Sequence, residues 1–234
     1  MRTIGFSTGA LSRGDFRKGI VLQEGRTDAI ELSALRESEL DPLVAAVPGL
    51  PLEQFSFVSL HAPSRRVQFS ERQLVERLEE ITAHVAGVVV HPDVIDDPAE
   101  WRRIEASVFL ENMDQRKRCA RTAREMQPYF DSLPRARFCF DLGHARQVDP
   151  TLSVAAELLW AFGDRLAEIH ISEVDASSQH VAISLSAMES FKRIASLIPN
   201  HVPAIVESII EPESIEEEIA VARAALGEAI PVLS

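Results

Sequence analysis

Residues 138–144 read FCFDLGH: a short apolar run halts at Asp141, and a glycine and a histidine follow within one turn. A run of this kind reads as a strand buried on both faces, the usual condition of a parallel strand. An ionisable residue at its end is costly unless it is paired or bound to a metal. The same arrangement occurs five more times. SLHAP halts at His61, VVVHP at His91, FLEN at Glu111, EIH at His170 and IVES at Glu207. Six strand ends that finish in His, Asp or Glu imply one pocket with many ligands.

Working outward, eight strands are predicted, at Thr3–Ser7, Ala29–Ser33, Phe57–His61, Gly87–His91, Val108–Glu111, Phe138–Asp141, Glu168–Ser172 and Ala204–Ser208. The stretches between them carry helical periodicity. In SERQLVERLEEITAHV (residues 70–85), Leu74, Leu78 and Ile81 share one face and Glu and Arg the other. Helix-start signals agree: Ser70 with Gln73, Asp97-Pro98, and Ser214 ahead of Glu216 and Glu217. Strand starts recur every roughly 20 to 36 residues, the size of a βα unit, and eight units in about 250 residues make a (β/α)8 TIM barrel of α/β class. One domain over residues 1–234 is expected, with no linker composition to divide it. A doubly wound sheet is the competing architecture, but GFSTGALSRGD after the first strand lacks the GxGxxG spacing.

Composition narrows the function. With 46% hydrophobic residues the chain can bury a full core, while a formal net charge of -12 and a single tyrosine argue against a nucleic-acid partner, because such platforms need a basic face and stacking rings. A localised basic cleft remains compatible with that charge. Cys119 and Cys139 are far apart with no CxxC spacing, which suits a reducing, cytoplasmic setting. No membrane span and no signal peptide are expected.

In a parallel barrel the active site forms at the carboxyl ends of the strands, where these ligand-type residues stand. Side-chain alternation puts Phe109 and Ser107 on the same face as Glu111, Cys139 on that of Asp141, and Glu168 on that of His170. Cys139 is read as an inert core thiol. A set of two Glu, one Asp and one to three His suits Zn, Mn, Fe or Co better than Mg or Ca.

The ordered motifs HAP, HP, LEN, FDLGHA, HIS and ES resemble the xylose isomerase-like TIM-barrel superfamily, over nearly the whole chain. That group includes sugar isomerases and epimerases as well as AP endonuclease family 2, the endonuclease IV type. The resemblance implies a metal site built from Glu111, Asp141, His170 and Glu207. It implies that His61 and His91 serve a second ion bridged by Glu111, and that a third ion would need His144 with an Asp-x-His pair. Here that pair reads Ser178, Gln179, His180, so the aspartate is missing and His180 could instead touch substrate. One to two divalent ions are expected, with three as the upper bound. Outside the motifs, Glu31 could bind substrate or buttress the rim, and Arg65 and Arg66 could meet a phosphate or carboxylate or lie in a solvated loop. His84, placed in the third helix, and His201 are assigned no role.

Two functions compete. The first is a metal-dependent isomerase or epimerase of a small, sugar-like polyhydroxy carbonyl substrate, with Glu111 and Glu207 as acid and base around a stabilised enediolate. The second is a phosphoesterase using two or three metals, as endonuclease IV does. A metal-binding barrel without turnover is the non-catalytic alternative. Fold alone does not choose between them.

Overall fold

The computed structural model describes residues 1–228. Its eight barrel strands, numbered first to eighth below, are Ile4–Ser7, Ala29–Ser33, Phe57–His61, Gly87–Val90, Val108–Glu111, Arg137–Asp141, Leu166–Ile171 and Ala204–Val206. All pair in parallel, and the first strand pairs with both the second and the eighth, which closes the sheet into a barrel. The predicted (β/α)8 architecture is present. Closure removes the unpaired edges an open sheet would expose.

Local signals act as read. Ser70 and Gln73 form a capping box at the start of Glu71–Ile81, and the Asp97 side chain accepts from the Ala99 backbone at the head of a short helix. Helix Ile215–Ala225 begins after Ser214 with Glu216, Glu217 and Glu218 in its first turn, though the Ser214 side chain makes no cap bond. Several boundaries shift. The fourth strand ends at Val90 because Pro92 has no N–H for the ladder, and His91 caps a one-turn helix. Glu207 likewise lies one residue past the eighth strand. His84 falls beyond its helix, which ends at Ile81, and Ser107 sits in a one-turn helix ahead of the fifth strand.

The main core lies between the strands and their helices. A smaller cluster of Val89, Phe109, Cys139 and Ala167, with Phe57 packed against it, fills the lumen. Phe109 and Cys139 precede Glu111 and Asp141 by two residues, so alternation stacks the ligand layer directly over this apolar plug. Gly87 is required there, since a Cβ on it would overlap the Phe109 ring. Burial pushes the Cys139 thiol well above its ordinary range, consistent with an inert core residue.

Candidate metal centre and its cavity

Glu111 ends the fifth strand and is 1% exposed. Its two oxygens face different partners. Oε2 lies 3.3 Å from His61 Nε2 and 3.1 Å from His91 Nε2. Oε1 lies 3.3 Å from His170 Nδ1 and 3.5 Å from His144 Nδ1. Candidate ligand atoms of Glu111, Asp141, His170 and Glu207 all fall within 4.8 Å of one another, and so do those of His61, Glu111 and His170. Glu111 and His170 are thus common to both groups.

Neighbouring bonds prepare these side chains for a cation. His61 Nδ1 is 2.7 Å from the Ala62 carbonyl, which can only accept, so Nδ1 carries a proton and Nε2 is the nitrogen left to face Glu111 or a cation. Asp141 accepts the His144 backbone N–H on Oδ1 at 2.5 Å, capping helix Leu142–Val148, while its Oδ2 is buried without a hydrogen-bond partner. His91 Nδ1 is also buried without one. Orphaned buried atoms in a cluster of carboxylates and imidazoles are what a cation site requires. The donor set fits a divalent ion with mixed oxygen and nitrogen preference.

Electrostatics among the protein's own groups point the same way. Burial disfavours an imidazolium at His61, but the hydrogen bond with Glu111 and the charges of Glu31, Glu111 and Glu207 outweigh it and raise its pKa to about 9. Burial opposes ionisation of Glu111 too, yet His170, His61 and His91 hold its carboxyl well below the usual range. Burial, aided by Glu111, Asp141 and Glu31, drives Glu207 well above it against the pull of His170. His180 is pushed down to about 4, by burial first and by the nearby His144. Protons stand here where cations would bind.

A second layer lies beneath. His170 turns Nε2 toward Glu31 Oε2 at 3.1 Å and Glu168 Oε1 at 3.6 Å, and Glu168 accepts from Ser59 Oγ at 2.7 Å. Glu31 and Glu168 are both fully buried. Carboxylates behind a ligating histidine fix its ring and tautomer. Glu31, read from sequence as touching substrate or buttressing the rim, thus faces His170 and does not line the cavity. Sequence reasoning gave no role to Glu168, Ser59 or Asn112. Asn112 clamps the sixth strand end, its side chain donating to the Asp141 carbonyl at 2.9 Å and accepting the Asp141 N–H at 2.8 Å. Its backbone carbonyl also accepts His144 Nδ1–H at 3.0 Å. The asparagine in FLEN was the available signal.

A cavity of about 300 Å³ opens over the centre. His61, His91, Glu111, His144, His180 and Glu207 reach it, and Arg65 stands at its mouth. His180 belongs to a two-stranded ribbon, Glu173–Val174 with His180–Val181, and its Nδ1 lies 2.7 Å from Ser172 Oγ and 3.5 Å from Glu207 Oε2. Ser178 lines the cavity with its Oγ bonded to Gln147 and a left-handed φ of 54°. Sequence reasoning also passed over Arg116 and Lys117, on the loop after the fifth strand. Arg116 pairs with the buried Asp114 at 2.8 Å and Lys117 with Asp93 at 2.6 Å, and both line the cavity.

No protein-family profile and no curated sequence matches the chain. Solved structures do. Endonuclease IV from Thermus thermophilus superposes with a TM-score of 0.58 at 20% identity, covering 97% of this chain and 100% of that one. SacUVDE gives 0.56 at 12% identity, covering 92% and 86%. A protein of Anabaena variabilis assigned as a sugar phosphate isomerase/epimerase gives 0.55 at 14% identity, covering 100% and 91%. Among the described residues no helix is long and apolar enough to cross a membrane. At these identities the likeness concerns architecture alone, and the chain shares with these structures a closed (β/α)8 barrel.

Proposed function

We propose that the chain is a metal-dependent hydrolase of small phosphoesters, working through a two-ion centre bridged by Glu111. The observation that carries this reading is the split of Glu111, with Oε2 toward His61 and His91 and Oε1 toward His170 and His144. Asp141, His170 and Glu207 would complete one ion's shell and His61 and His91 the other's. Ions so held would polarise the phosphoryl group and lower the pKa of water, the chemistry of paired-metal phosphatases and nucleases.

The chain's own residues supply the rest. Arg65 at the mouth would meet the substrate's negative charge, since Arg116 and Lys117 are already paired with Asp114 and Asp93. Water would form the new bond to phosphorus as the ester P–O bond breaks, its proton passing to solvent, and the alkoxide leaving group would gain its proton from solvent, since His180, pushed down to about 4, is neutral near pH 7. The cavity volume suits a small molecule rather than a duplex.

The isomerase or epimerase reading rests on a different observation: Glu111 and Glu207 share one cluster and both line the cavity, as an acid and base pair would. One experiment separates the two. Metal-reconstituted protein is assayed for phosphate release from phosphomonoesters and from phosphodiesters with a phosphomonoesterase coupled in, and for deuterium incorporation from D2O into ketoses. Phosphate release abolished by Glu111→Gln supports the proposal. Deuterium exchange without phosphate release would replace it with the isomerase.

A further inference from the structure

The cavity over the metal centre does not end at its rim. A second cavity of about 350 Å³ adjoins it, and the two share Gly9, Ala10, Leu35 and Ile209 in their walls. These four come from the segments after the first, second and eighth strands, which are consecutive in the barrel order. The apolar residues therefore form one arc of the mouth. Arg65, Arg116 and Lys117 come from the loops after the third and fifth strands and form another.

Leu35 is 38% exposed and Ile209 49% exposed. A single exposed aliphatic residue is ordinary. Two that line both cavities, with Gly9 and Ala10, make the waist where the cavities adjoin apolar, the surface that suits an apolar substrate group. Beyond the waist the groove carries Arg13, Arg36 and Glu39, of which Arg36 and Glu39 pair at 2.7 Å.

We infer that the second cavity is a substrate subsite for an apolar organic group, so that the substrate class is a phosphoester whose charged end lies at the metals and whose aliphatic or aromatic end crosses the waist between Leu35 and Ile209. This rests on the phosphoesterase reading above for the charged end. The apolar end rests on the mouth alone.

The test uses non-hydrolysable probes, so it is independent of turnover. Dissociation constants of phenylphosphonate and methylphosphonate are measured by calorimetry on Mn²⁺-loaded protein. The phenyl compound should bind about ten- to a hundredfold more tightly, the range set by burying one small apolar group. In Leu35→Asp with Ile209→Asp that ratio should fall toward one. Both positions are solvent-exposed, so the acidic side chains remain hydrated and folding is checked by the thermal melt. Equal affinities in the wild type, absence of binding by either probe, or a ratio unchanged in the double variant would overturn the subsite. Turnover is read separately. Phosphate release from phenyl and methyl phosphate at equal rates refutes the subsite and spares the hydrolase; a phosphonate preference without any phosphate release does the reverse.

Discussion

Replacing Glu111 by Gln keeps its shape and removes its charge, which tests the bridged centre most directly. Four imidazole nitrogens lie within 3.5 Å of its two oxygens, from His91 at 3.1 Å, His61 and His170 at 3.3 Å, and His144 at 3.5 Å. A carboxylate in that position would contribute to both proposed ions, whereas in the proposed assignment each other ligand serves one. Removing one partner of a buried charged pair costs about 3–5 kcal/mol, and about 1.4 kcal/mol is a tenfold change in affinity. Dissociation constants for both ions should therefore rise by roughly two to three and a half orders of magnitude. The double variant His61→Ala with His91→Ala should behave differently, losing one equivalent and keeping the other. Elemental analysis of dialysed protein gives stoichiometry, and competition against a fluorescent chelator gives affinity, with either Zn²⁺ or Mn²⁺. A Glu111→Gln protein that holds two equivalents at wild-type affinity would refute the bridge, as would a wild type that binds no ion at all.

Three further outcomes are expected. Removing tightly bound metal with a chelator should lower the melting temperature, since a ligand at a hundredfold excess over its dissociation constant stabilises the native state by about 2.7 kcal/mol, or roughly 5–11 °C for a chain of this size; an unchanged melt would count against a metal-built centre. Glu37 accepts backbone N–H groups from Val67, Gln68 and Phe69, and despite the cost of burial these bonds hold its pKa below the ordinary value. Its contribution is thus present above the unfolded carboxyl pKa and lost as pH falls through the folded one, so Glu37→Gln should destabilise at pH 7 and less at pH 3, read from urea midpoints; an equal loss at both would contradict this. Gly87→Ala should cost about 1–3 kcal/mol in chemical denaturation by driving Phe109 out of the lumen, and Phe109→Leu in the same chain should recover part of it; a neutral Gly87→Ala would show that the plug yields freely.

Much of the fold was legible because strand and helix signals are local. Apolar runs such as FCFD and GVVV carry their own period, and capping residues such as Ser70 and Asp97 act within three positions of themselves. Boundaries were less legible, since hydrogen-bond pairing decides where a ladder stops, as at Val90 before His91 and Pro92. The ligand residues were legible for a related reason. A costly residue at the end of a buried strand stands out in one dimension, so Glu111, Asp141, His170 and Glu207 could be grouped before any contact was known, and the structure gathers candidate ligand atoms from all four within 4.8 Å.

What the sequence determined by itself was the order of elements and the identity of the strand-end side chains, because both follow from residue type and short spacing. Tertiary structure alone decided which oxygen of Glu111 faces which histidine, that Glu31 turns inward to His170, and that Leu35 and Ile209 line the same two cavities. These pairings join residues from 20 to 174 positions apart. Barrel closure sets such distances by bringing the eighth strand beside the first, and that closure is not encoded in any local window.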